Sequence, residues 1–152
     1  VKKGWLLALC AVLLIVGTGC GMFSDKEADA DAEEKGPQVS KIEFGDYPRD
    51  EGNFEALNRR KHFGKDESFA MVFHMPKEQQ FDTTRLKIQI INKDGDRVLQ
   101  EMIQEVKPDE NKYKWEFSNS YEFHGFYETG NYEMKVWRGE DLLAEGEFVI
   151  TD

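Results

Sequence analysis

Cysteine is nearly absent: the sequence has two, Cys10 and Cys20, both within its first twenty residues. Everything after them is closed to disulfides and to thiolate metal sites. Positive charge is also in short supply, with 20 Lys and Arg against 30 Asp and Glu and a formal net charge of −10. A chain of that sign repels phosphate backbones at long range, and no basic helix or aromatic-interleaved basic strand offsets it, which argues against nucleic acid as a partner. Missing too are G-x-S-x-G, H-E-x-x-H, a glycine-rich phosphate loop and Cys-x-x-Cys. The only three histidines, His62, His74 and His124, are widely spaced on different expected elements. No metal site, no cofactor and no enzymatic activity are therefore expected.

The longest uninterrupted apolar run, Trp5 to Val16, has twelve residues, the length of a signal-peptide core rather than of a bilayer span. Val1-Lys2-Lys3 precedes it as a basic start, and Gly17-Thr18-Gly19-Cys20 follows. Small residues just before a cleavage point let the chain lie extended in a peptidase groove, and the thiol after them can form a thioether. This arrangement resembles the lipobox of bacterial lipoproteins. The resemblance implies cleavage between Gly19 and Cys20, a diacylglyceryl group on Cys20, and localisation at the cell membrane on its extracytoplasmic side. Two acyl chains suffice for stable anchoring, because each buried methylene contributes about 0.8 kcal/mol. The residues also admit an ordinary cleaved signal, or an uncleaved anchor across the uncharged stretch from Gly4 to Phe23.

Residues 1–19 thus read as a signal peptide, 20–37 as the lipidated cysteine and an acidic linker, and 38–152 as the folded domain. The linker, GMFSDKEADADAEEKGP, has almost no large apolar residue after Phe23 and cannot bury enough surface to offset its ordering entropy. As a coil it averages roughly 23 Å end to end.

In the folded domain the dominant signal is period-two alternation in short runs, which predicts strands. Ile42 and Phe44 share a face. Phe69, Met71, Phe73 and Met75 alternate with Ala70, Val72 and His74, as in a strand covered on both sides, until Pro76 ends the ladder. Leu86, Ile88 and Ile90 alternate with polar residues, and Asn92-Lys93-Asp94-Gly95-Asp96 turns the chain into a strand from Arg97 to Val106. Tyr113, Trp115 and Phe117, then Tyr132, Met134 and Val136, and finally Phe148 and Ile150 mark the later strands. About seven hairpin-linked strands predict an all-β, antiparallel sandwich. The segment from Gly130 to Trp137, followed by a turn and Glu147 to Ile150, resembles the last two strands of immunoglobulin-like modules in bacterial surface proteins. That resemblance implies an immunoglobulin-like sandwich, in which Tyr132 is either a tyrosine corner or a plain core tyrosine.

Nine of the nineteen aromatic residues fall between Tyr113 and Trp137. Tyr121, Phe123, Phe126 and Tyr127 flank His124 and Gly125 in a stretch without strand periodicity, and Trp137 has the parity of a solvent-facing residue. The stretch is either a lid over the end of the sandwich or a contact surface for a sugar ring or a protein partner. The candidate binding residues are accordingly Tyr121, His124, Phe126, Tyr127 and Trp137. Arg59, Arg60 and Lys61 form the only basic cluster in an acidic domain, either as a phosphate contact or as a solvated loop. The expected function is a membrane-anchored lipoprotein displaying a binding or structural module, with an envelope protein or cell-wall polysaccharide as partner. The alternative is a ligand-carrying accessory lipoprotein of a transporter or envelope sensor.

Overall fold

The computed structural model describes residues 38–118 and 123–152. The signal segment, Cys20 and the acidic linker lie outside the described residues, and so does Tyr121. Among the described residues there is no helix, and nine strands form two sheets: β1 Ser40–Lys41, β2 Glu43–Gly45, β3 His62–Gly64, β4 Phe69–His74, β5 Arg85–Asn92, β6 Arg97–Glu105, β7 Lys112–Phe117, β8 Gly130–Arg138 and β9 Asp141–Thr151. The larger sheet runs β1-β9-β8-β5-β6, with β3 also on β9, and the smaller runs β2-β4-β7. The two-sheet, all-β architecture is the one expected; the strand count is nine instead of seven.

Both additions are short. The first predicted strand is two, because the chain leaves one sheet for the other at Ile42. Ser40 and Lys41 pair with Ala144 and Glu145 of β9, whereas Glu43 to Gly45 pair with β4. Ile42 lies at the crossing, fully buried, its N–H donating to the Glu145 carbonyl at 2.8 Å. Gly146 makes this approach feasible: a Cβ there would stand 2.8 Å from both the Ile42 Cβ and the Phe44 ring. β3 pairs with β9 from Val149 to Thr151, so β1 and β3 occupy successive stretches of the same edge. Both run parallel to β9, a departure from the antiparallel plan that holds for the other pairings.

The alternating residues do what their period requires. Leu86, Ile88 and Ile90 of β5 and Tyr132, Met134 and Val136 of β8 face inward and are buried; on the opposing sheet Phe69, Met71 and Phe73 of β4 do the same. The rings gather at one end. Phe69 lies 4.0 Å from Phe63, 5.3 Å from Phe117 and 5.3 Å from Phe148 between centroids. Phe63 is why the three-residue β3 holds: one fully buried ring secures a segment too short to show periodicity.

The β5–β6 turn differs in detail from the expected one. Asn92 is buried, and its Oδ1 accepts from the N–H groups of Asp94 and Gly95. The left-handed residue is Asp96, at φ 46°, and not either member of the Asp-Gly pair.

Candidate functional site

The aromatic stretch divides by burial. Phe123 and Phe126 are core residues at the end of the sandwich: Phe123 lies 5.2 Å from Phe117, and Phe126 lies 5.1 Å from Tyr132 and 5.4 Å from Phe148. They close the end of the core, and Phe126 is buried, not exposed. His124 and Tyr127, between and beyond them, point outward; Tyr127 is 78% exposed, the highest value among the large apolar side chains described.

The return of the chain into β8 fixes this lid. Tyr132 is fully buried, and its hydroxyl donates to the Glu128 carbonyl at 2.7 Å. A buried tyrosine near the start of a strand, bonded back to backbone a few residues upstream, is the tyrosine corner of immunoglobulin-like sandwiches. Of the two readings of Tyr132, the corner is the one realised. Burial, and then the charge of Glu128, push its phenol above the usual value. The Glu128 carboxylate meets Arg97 at 3.2 Å and the Asn92 amide at 3.4 Å, which ties the lid to the start of β6. Gly130 follows at φ 140°, a conformation side chains rarely adopt, and a Cβ there would strike the Asp94 carboxylate. That carboxylate accepts from the Asn131 amide and backbone N–H, which hold it below the usual carboxylate range.

Between lid and β6 lies a cleft of about 400 Å³. Its floor is Ile90, Phe126 and Tyr132, and its rim carries Arg97, Leu99, His124, Tyr127 and Glu128. Leu99 stands there because of a β-bulge. Ile90 faces Gln100 and Ile91 faces Val98, so Leu99 is the extra residue on β6. Such bulges re-aim a side chain, and they recur beside binding and active sites. No sequence signal marked it, since β6 carries exposed apolar residues (Val98, Leu99, Ile103) where alternation should place polar ones.

The other predicted residues are elsewhere. Trp137 is on the outer face of the larger sheet, opposite Lys87 and Leu142, with the Lys87 ammonium 5.9 Å from its ring. Its Nε1 is buried and has no hydrogen-bond partner among the described residues. Arg59 pairs with Glu43 at 2.9 Å, and Arg60 joins Asp46 at 2.6 Å to Glu67 at 2.5 Å while packing over the Phe63 ring. The carbonyl of Lys61 accepts from Val149. None of the three lines the cleft, and the two arginines are satisfied by carboxylates of β2 and of the connections on either side of β3. Among the described residues no three His, Cys, Asp or Glu side chains gather as a metal site would require.

No family model and no curated protein matches the chain. Among solved structures it is similar to an immunoglobulin-like protein from Pseudomonas aeruginosa, at 18% identity over 72% of this chain and 91% of that one, with a TM-score of 0.48. It is also similar to the PmoD soluble domain from a Methylocystis species, at 13% identity over 72% and 89%, with a TM-score of 0.41.

Proposed function

We propose that the protein is an extracytoplasmic lipoprotein held to the membrane through Cys20, and that its sandwich is a non-enzymatic binding module whose contact site is the cleft between β6 and the 123–128 lid. The observation that carries the binding reading is the bulge at Leu99, which together with Tyr127 leaves two large apolar side chains on the rim of a cleft whose floor is otherwise sealed core. Tyrosine is among the residues enriched where interface energy concentrates, and such residues cluster in well-packed pockets. The anchoring reading rests on Lys2, Lys3, the apolar run and Gly19-Cys20.

The test has two arms. Metabolic labelling with palmitate should mark the wild-type chain in the membrane fraction and leave Cys20→Ser unlabelled; an unlabelled wild-type protein ends the lipid reading. Tyr127→Ala combined with Leu99→Asp should abolish capture of envelope protein or cell-wall polysaccharide, with Trp137→Ala as a control outside the cleft. Unchanged capture by the double variant would move the contact site elsewhere.

A second reading, a ligand-carrying accessory lipoprotein, draws on the cleft volume, which lies within the ~300–1,000 Å³ range of small-molecule sites. A melting shift with low-molecular-weight envelope extract that survives removal of all polymers would favour it.

A further inference from the structure

The two sheets have several open edges, and all but one are short or carry lysine. β1, β2 and β3 are only two or three residues long, and β7 carries Lys112 and Lys114. Shortness and edge lysines are the usual devices that keep foreign strands from pairing. β6 has nine residues, neither lysine nor proline, and no strand on its outer side among the described residues. It also holds three of the six exposed large apolar residues described: Val98 (48%), Leu99 (40%) and Ile103 (58%). A fourth, Tyr127, lines the cleft at the start of the same strand. The bulge interrupts the edge only at Leu99, and from Glu101 to Glu105 the ladder with β5 is regular.

The geometry points to strand addition: β6 receives an extended, basic segment of a partner protein along Glu101 to Glu105, and one large apolar side chain of that segment seats in the cleft. An added strand gains affinity from backbone hydrogen bonds and specificity from pockets for its side chains. Charge selects the occupant. Glu101 and Glu105 are exposed on β6 and Glu128 borders the cleft; Lys87 and Arg97 pair with Glu101 and Glu128, and Glu105 has no ion pair among the described residues. A second copy of a chain carrying −10 would bring like charges to this edge, whereas a lysine-bearing strand would place opposite charges across it. This assignment rests on the cleft being the contact site.

The experiment is hydrogen exchange of the full chain in detergent micelles, with a short peptide alternating lysine and leucine as the probe. At saturation it should slow exchange in Glu101 to Glu105 by about tenfold and leave β7 unchanged, because unpaired edge amides exchange far faster than paired ones. Ile103→Lys, at an exposed position, should abolish the slowing while the protein stays folded. The assignment falls if folded protein shows no slowing with this peptide, if an alternating glutamate–leucine peptide slows β6 equally, or if β7 is slowed as much. Slowing that grows with protein concentration and needs no peptide would make the occupant a second copy. A chitin oligosaccharide that protects 123–128 and not β6 would make the cleft a sugar site; either result overturns the proposal. Labelled Cys20 and Tyr127-dependent capture without peptide protection would remove strand addition alone, and protection without labelling would support it while removing only the anchor.

Discussion

At the scale of single residues, Tyr132 joins the lid to the core by one hydroxyl. Its ring stacks with Phe148 at 5.5 Å and meets Phe126 edge-on, contacts that Tyr132→Phe retains while losing the bond to Glu128. The expected cost is about 1 kcal/mol, read as a lower denaturant midpoint at unchanged slope. The hydroxyl's value is raised in the folded state, so its contribution is complete below the unfolded value and is lost as pH rises through the folded one. Wild type should therefore lose stability above about pH 10, and Tyr132→Phe should lack that alkaline loss. Equal alkaline loss in both proteins would show that another group is responsible. Lys114 shows what alternation leaves out. Its place between Tyr113 and Trp115 marks it as outward-facing, and it is; but the 47–54 loop folds back over it. The ammonium donates to the carbonyls of Pro48, Asp50 and Asn53 at 3.2, 2.6 and 2.9 Å and lies near the Tyr47 and Phe54 rings. Period two reports the face of a sheet, not what a distant loop lays upon it.

At the scale of elements, the strands legible in sequence are those whose burial spans several residues. β4, β5, β7 and β8 each announce themselves through three or more alternating apolar side chains, and β9 through Phe148 and Ile150. β3 does not, because a single phenylalanine between a histidine and a glycine has no period, and its partner β9 is far along the chain. The division of the first strand at Ile42 was equally hidden, since residues on both sides of the crossing keep the inward parity of one strand. For the candidate site, the aromatic stretch was legible as lying outside any strand pattern, but not which rings are exposed, since Phe123 and Phe126 share that signal with Tyr127 and are buried. The bulge at Leu99 was not legible, because one extra residue in a pairing is a property of two strands together. The basic cluster shows the same limit: Arg60 reads as a surface cation, yet it clamps the β2–β3 connection, with Asp46 on one side and Glu67 on the other. Hydrogen bonds from Asn58 and then Arg60 lower Asp46; the Gly64 N–H and then Arg60 lower Glu67. Depressed carboxylates contribute stability that is present above their unfolded values and lost as pH falls through the folded ones. Melting midpoints should thus fall through the acid carboxylate range, and Arg60→Met should lower the neutral midpoint and flatten that acid slope. An unchanged slope would show that this clamp is not linked to folding.

At the scale of the molecule, chain entry and cleft lie at opposite ends of the larger sheet. The chain joins it at Ser40, opposite Ala144 and close to the β8–β9 turn at Arg138 to Asp141. The cleft lies toward the other end: its floor residues Ile90 and Tyr132 are level with Gly146 and Phe148 of β9, and the β5–β6 turn beyond them meets Asn131. Two to four residues of β9 separate Ala144 from the cleft floor, on the order of 10 Å at about 3.3 Å each. Under the proposed anchor at Cys20, the expected outcome is that the end where the chain joins the sheet stands nearer the lipid than the cleft does. Energy transfer to a lipid-phase acceptor measures it in vesicles carrying the acylated protein. A donor on Glu140→Cys marks the entry end, and one on Gly95→Cys, where a side chain meets nothing within 4 Å, marks the cleft end. The Glu140 position should transfer more efficiently. Equal transfer would mean the linker erases the polarity, and the reverse order would place the cleft against the membrane and make lipid its first contact.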